Sequence, residues 1–310
     1  MTLAGRVTTD IDLLELYQLR KSGAGFPLYC FPGAGGEVRA FEQMASMLPE
    51  DWPVCAIDCI RFFNAYESFS IEQLADLCLQ IIRKNQARGP YHLCGYSLGG
   101  VVAYEAATRL ANAGEDIGLL ALIDAPNPSF KSNLSGEEAT DFRTRHFIDR
   151  IAKYGRNLCS GNFATLLEDA LVFFDSRLGG YPWLLARAAF RTANRPMPPI
   201  LANKTPKWAT ALQAYTPKPY ARRLLLFCSQ SHKPEYGLDP TLGWRKCATG
   251  NVDVYFVPEA HVKIMTRPQF LAEKLIENWD QSTERPAKAV DNVNSLASNL
   301  AAVQRWMEGA

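Results

Sequence analysis

The chain has 310 residues, 47% of them hydrophobic and 21% charged, enough apolar material to build a large core without metals or disulfides. Its 33 basic and 32 acidic residues leave a net charge of +1, which argues against nucleic acid or a polybasic membrane interaction, since both need a concentrated basic face. No run reaches the ~18 apolar residues of a membrane span.

The opening stretch Met1–Asp10 lacks the apolar segment of a signal peptide, so a cytoplasmic protein is expected. The eight cysteines fit a reducing compartment. Cys30, Cys94 and Cys228 lie inside apolar runs, where a thiol acts as a small hydrophobe. There is no C-x-x-C, no H-E-x-x-H and no Cys/His spacing suited to zinc, so neither a disulfide framework nor a metal is expected.

In chain order, the pattern predicts a strand at Phe26–Phe31, a helix at Glu37–Leu48 and a strand at Pro53–Asp58. A helix at Ile71–Gln86, a strand at Tyr91–Tyr96, a helix at Leu98–Ala113 and a strand at Gly118–Asp124 follow. These strand runs are continuous rather than alternating in polarity, as strands buried on both faces should be. Strand–helix–strand repetition then implies an α/β fold, a mostly parallel sheet with helices on both faces.

The alternation breaks between about 126 and 221. Helical patterns at Glu138–Tyr154, Asn162–Phe174, Trp183–Arg191 and Pro206–Tyr215 replace it. An all-helical insertion here reads as a lid over the carboxyl ends of the strands, where α/β proteins bind ligands. Strands at Arg222–Cys228 and Val252–Val257 and a helix at Arg267–Trp279 complete the domain, residues 1–282. Residues 283–310 read as a linker and an amphipathic helix whose stripe is Val293, Leu296, Leu300, Val303 and Met307. That helix either packs on its own domain or serves docking or dimerisation. Met1 and this helix lead us to expect a whole gene product.

The chemistry centres on Gly95-Tyr96-Ser97-Leu98-Gly99-Gly100, between a strand and a helix. G-x-S-x-G in that setting is a nucleophile elbow, a tight turn that exposes a strained Ser97 at the tip of the sheet. The helix N-terminus behind it favours developing negative charge. A serine hydroxyl needs a base, and the chain has four histidines. His92 lies within a strand, His146 in the insertion, and His232 in what reads as a surface loop. His261 follows the last strand and is last in chain order, as a Ser…Asp…His hydrolase requires. Two acids compete to orient it: Asp124, ending the strand after the elbow helix, and Asp239, after the strand Arg222–Cys228. The oxyanion donors should be the backbone N–H of Leu98 and one from Phe31-Pro32-Gly33-Ala34-Gly35-Gly36. That loop is not a dinucleotide fingerprint, because Val38 stands where the third glycine would be.

Together these segments resemble the chain-releasing thioesterase domains of polyketide synthases and nonribosomal peptide synthetases. The resemblance runs from about Leu16 to Trp279. It is carried by the Phe31–Gly36 loop, Gly89-Pro90, the elbow and Leu122-Ile123-Asp124. The later marks are Tyr215-Thr216-Pro217-Lys218-Pro219-Tyr220, Gly243-Trp244 and Pro258-Glu259-Ala260-His261. It implies an α/β-hydrolase fold and a Ser97–His261–Asp124 triad. An acid at Asp239 would instead fit the related editing (type II) branch; a free-standing carboxylesterase is a further alternative. The resemblance assigns the second oxyanion donor to Ala34. It also implies an acyl or peptidyl carrier protein as partner, whose phosphopantetheine arm brings the acyl chain, and no cofactor of the chain's own. Tyr96, Tyr181 and Trp183 are the expected substrate-channel aromatics.

Overall fold

The computed structural model describes residues 10–21, 23, 25–36, 38–142, 144, 207–232 and 237–279. The chain divides into two compact units, Met1–Asn133 with Ala211–Ala310, and Leu134–Thr210. In the second unit a helix starts at 136 behind a capping box. Ser135 Oγ accepts from Glu138 N–H, and the Glu138 carboxylate accepts from Ser135 N–H. The predicted helices at Asn162–Phe174 and Trp183–Arg191 and the stripe Val293–Met307 lie outside the described residues.

The first unit is a seven-stranded sheet in the order β1-β3-β2-β4-β5-β6-β7. Its strands are β1 (Glu15–Arg20), β2 (Leu28–Phe31), β3 (Val54–Asp58), β4 (Tyr91–Tyr96), β5 (Ile117–Ile123), β6 (Leu224–Ser229) and β7 (Val252–Val257). All neighbours are parallel except β1, which runs antiparallel to β3. The six predicted strands are present, with ends shifted by up to two residues. Strand β1 is an addition. It is an edge strand of mixed polarity and largely exposed, so it lacks the continuous apolar run that marks its neighbours.

The helices are α1 (Glu42–Met47), α2 (Ile60–Ala65), α3 (Ile71–Asn85), α4 (Leu98–Asn112), α5 (Lys207–Ala214) and α6 (Pro268–Trp279). The helix expected over Glu37–Leu48 is a 3₁₀ turn, Val38–Phe41, running into the short α1. Helix α2 is too short to show a period; Asp58 opens it by accepting from Ile60 N–H at 2.8 Å. Ser70 caps α3, accepting from Gln73 N–H at 3.0 Å, while Leu74, Cys78, Ile81 and Ile82 bury its inner face.

The two-residue period of the strands splits the core into two layers. Tyr29, Phe31, Leu93, Leu120 and Leu122 face the layer of α3 and α4. Leu28, Cys30, Cys94, Leu119, Ala121 and Ile123 face the layer of α1 and α6. All seven cysteines among the described residues are unpaired and buried. Among the described residues, no helix is long and apolar enough to cross a membrane.

Helix α4 also anchors the chain ahead of β6. Its fully buried Glu105 accepts from Tyr215 Oη at 2.8 Å and from Arg109 Nε at 2.6 Å. Tyr104 Oη donates to Lys218 O at 2.8 Å, and Tyr220 packs beside the Tyr104 ring. The Tyr215–Tyr220 segment is thus a strap that fixes where β6 enters the sheet.

At the opposite edge of β4, His92 is sealed in the core, stacked on Trp279 with ring centroids 3.8 Å apart; Trp279 in turn stacks on Trp52 at 3.8 Å. Neither ring nitrogen of His92 has a hydrogen-bond partner among the described residues. Burial therefore pushes its pKa down from 6.5 to about 4. The unfolded chain takes up this proton near pH 6.5, whereas the folded chain resists until about 4. Stability contributed by the neutral ring is complete above that window and falls by about 3 kcal/mol across it. His92→Leu should flatten the dependence of melting temperature on pH between 6.5 and 4. An unchanged slope in calorimetric scans would assign the acid sensitivity to other groups.

Candidate active site

The sheet order changes direction at β2, whose neighbours are β3 on one side and β4 on the other. Such a switch point opens a crevice at the carboxyl ends of the strands. The loop after β2 and the turn after β4 leave the sheet side by side, Phe31 pairing with Gly95. A Cβ placed on Gly33 would lie 3.6 Å from Ser97 Cβ, so the two loops are in van der Waals reach.

Ser97 joins β4 to α4 with φ 54° and ψ −121°, a conformation that costs a side-chain-bearing residue on the order of 1–3 kcal/mol. Its N–H donates to Ile123 O at 2.8 Å and its carbonyl accepts from Gly100 N–H at 3.0 Å, so the strain is held from both sides. The flanking glycines are required by close approach. A Cβ at Gly95 would sit 2.2 Å from Gly99 O, and one at Gly99 2.2 Å from Phe31 O. The side chain of Ser97 stays partly open. Leu98 is the first residue of α4, where amides have no intrahelical acceptor. Ala34 lies in a turn closed by Gly36 N–H on Gly33 O at 2.9 Å.

Asp124 follows β5 in a left-handed conformation, φ 52°, and is fully buried. Its Oδ2 lies 2.5 Å from His261 Nδ1, and its Oδ1 accepts from Ser229 N–H at 2.7 Å. Burial alone would raise its pKa; the hydrogen bonds from His261 and Ser229 and the nearby His232 outweigh this and hold it below the usual carboxylate value. His261 opens a 3₁₀ turn after β7 and keeps 34% of its side chain exposed.

Tyr96, expected among the substrate-channel aromatics, packs against the histidine. Its ring stacks on His261 with centroids 5.2 Å apart, and its hydroxyl donates to His261 O at 2.9 Å. Its other contact is the β2 loop, where a Gly33 Cβ would lie 3.1 Å from the ring. Tyr96 therefore adjoins Ser97 in the chain and touches both the loop after β2 and the loop of His261. Tyr181 and Trp183 lie outside the described residues.

Asp239 is engaged elsewhere. It accepts from Thr241 N–H at 2.8 Å, Thr241 Oγ1 at 2.6 Å and Gly243 N–H at 2.9 Å, the role of a turn aspartate. That turn supports the residues after Asp124. Leu242 O accepts from Asn127 N–H at 3.0 Å and Gly243 O from Asn127 Nδ2 at 3.0 Å. The buried Trp244 donates from its indole to Ala125 O at 2.7 Å.

His232 corrects the sequence reading. Instead of standing in an open surface loop, it is 18% exposed with Nε2 3.7 Å from Asp124 Oδ1, and its ring meets His261 edge-on with centroids 6.1 Å apart. Two serines absent from the sequence reading complete the lacing. Ser231 Oγ accepts from His261 N–H at 2.8 Å, and Ser229 Oγ from Ser231 N–H at 3.2 Å. A run of small polar residues, Ser229-Gln230-Ser231, at the carboxyl end of an apolar strand was the available signal.

A buried acid on Nδ1 of a histidine and a partly exposed serine on a strained strand–helix turn, bridged by Tyr96, are the elements that nucleophilic acyl transfer employs. Comparison with known proteins agrees. A family model described as a thioesterase domain matches residues 26–283. Over 124 residues the chain is 37% identical to the non-reducing polyketide synthase aoiG of Aspergillus oryzae, covering 39% of this chain and 6% of that one. Over 115 residues it is 36% identical to a dimodular nonribosomal peptide synthase of Bacillus subtilis, covering 36% and 5%. The chain thus spans under a tenth of the length of these relatives. In fold it is similar to the NocB thioesterase domain from the nocardicin cluster, with TM-score 0.56, 17% identity, and 86% and 98% of the two chains covered. It is also similar to BorB, a type II thioesterase from the borrelidin cluster, at TM-score 0.51, 17% identity, and 86% and 96% covered. With the family model covering six of the seven strands, the loops that carry Ser97, Asp124 and His261, and α6, this chain belongs to the thioesterase domain family.

Proposed function

We propose that the chain releases an acyl chain, polyketide or peptide-like, from the phosphopantetheine arm of a carrier protein through an acyl-enzyme on Ser97. The observation that carries this reading is the 2.5 Å contact between Asp124 Oδ2 and His261 Nδ1. It commits Nδ1 as the donor and leaves the Nε2 lone pair to accept the Ser97 proton. Ser97 Oγ attacks the thioester carbonyl, and the backbone N–H groups of Leu98 and Ala34 bind the oxyanion. The C–S bond breaks, His261 returns its proton to the pantetheine thiolate, and the acyl group rests on Ser97. Water or a nucleophile within the chain then attacks the ester, His261 again acting as base. Residues Leu134–Thr210 interrupt the sheet between β5 and β6, and this place in the chain supports a lid role for them. The unpaired cysteines suit a cytoplasmic setting.

The pairing of Asp124 rather than Asp239 with His261 favours chain release over the editing branch, while a carboxylesterase shares the same triad and is separated from it by substrate alone. Asp124→Asn should lower kcat roughly 10⁴-fold. Asp239→Asn should mainly lower the melting temperature, and a 10⁴-fold loss there would reverse the assignment. Tyr96→Phe removes one hydrogen bond to the histidine loop and should cost kcat about tenfold or less, with KM unchanged; a KM effect alone would return Tyr96 to substrate contact. The reading as a whole is tested by intact mass after brief mixing with acyl-pantetheine thioesters. Wild type should gain one acyl group and Ser97→Ala none. Hydrolysis of simple esters without any thioester adduct would favour a carboxylesterase instead.

A further inference from the structure

Acyl transfer uses one imidazole on the acid, yet the Asp124 carboxylate has two. His261 Nδ1 is 2.5 Å from Oδ2 and His232 Nε2 is 3.7 Å from Oδ1. One ligand atom from each of the three residues lies within 4.8 Å of the others. The loops carrying the two histidines are tied together by Ser231 Oγ on His261 N–H and by Gln230 N–H on Glu259 O at 2.9 Å. This is a small, pre-assembled set of two nitrogens and one carboxylate oxygen, its two rings partly exposed while His232 Nε2 itself is buried.

We propose that Asp124, His232 and His261 form a zinc-binding site, and that zinc bound there switches the hydrolase off. A tetrahedral zinc with bonds of 2.0–2.1 Å places its ligand atoms roughly 3.3 Å apart. From within 4.8 Å of one another, the two nitrogens and one carboxylate oxygen meet that geometry through shifts of at most about 1.5 Å at each histidine. Both movements are rotations of rings that are partly exposed, 34% and 18%. Two imidazoles and a carboxylate suit borderline zinc over hard magnesium, and the fourth position is left to water.

The off state follows from the tautomer. A metal on His261 Nδ1 takes the lone pair there, so the ring proton moves to Nε2. An Nε2–H cannot accept the Ser97 proton. The binding claim stands on geometry, while the inhibition claim rests on the serine-hydrolase reading above.

The test uses tag-free, chelator-washed full chain and zinc chloride as the probe. Calorimetric titration of Ser97→Ala should find one zinc per chain, with magnesium chloride giving no signal. His232→Gln in that background should weaken zinc about 100-fold, and His232→Cys, which restores a ligand, should retain it. In wild type, zinc should lower kcat for an acyl-pantetheine thioester with KM unchanged, and a chelator should restore it. No binding by Ser97→Ala, or equal affinity in the glutamine and cysteine variants with melting curves like the parent, overturns the site. Stoichiometric binding without effect on normal turnover overturns the switch. Zinc binding lost on His232→Gln, in a protein that never turns over thioesters, leaves the site standing and removes the functional reading.

Discussion

A carboxylate removed wholly from water is costly unless its charge is met by hydrogen bonds, and at the carboxyl edge of this sheet much of the structure meets that requirement for Asp124. Ser229 N–H and His261 Nδ1 take one oxygen each, and His232 stands beside the first. These partners come from the ends of β6 and β7, the next two strands in the sheet. The adjacency of β5, β6 and β7 is therefore what the charge depends on. Any other order would leave a buried anion without its donors.

The other half of the site depends on strain rather than charge. Ser97 is held in an unfavourable backbone conformation by the β5 carbonyl it donates to and by the helix it opens. The packed core behind β4 and α4 supplies the rigidity, and the close approach at Gly95 and Gly99 lets the turn sit flush against β2. Tyr96 connects the two halves, because the residue before Ser97 stacks on His261. Positioning is thus distributed over three loops, each anchored to a different strand, and only a sheet with a switch point at β2 brings them to one place.

Buttressing follows the same logic at longer range. Asp239 spends its carboxylate on a turn whose carbonyls and Trp244 indole hold the residues just after Asp124. Glu105 and Tyr104 on α4 hold the strap that feeds β6. Several marks of the family resemblance, Gly243-Trp244 and Tyr215–Tyr220, are therefore supports and not reacting groups.

The α/β class, six of the seven strands and the serine turn were legible in the residues alone. Buried parallel strands write themselves as continuous apolar runs, and a nucleophile elbow needs glycines at fixed offsets. The sequence also narrowed the candidate base to His261, from its position after the last strand. It could not see β1, whose exposed edge carries no apolar run, or α2, shorter than one reading of the helical period. Between Asp124 and Asp239 the residues alone were neutral, since both follow strand ends and both suit a turn. Tertiary structure decided that point, along with the places of Tyr96, Ser229, Ser231 and His232. Each of these depends on which strands lie side by side, and a pairing of segments far apart in the chain leaves no periodicity to read.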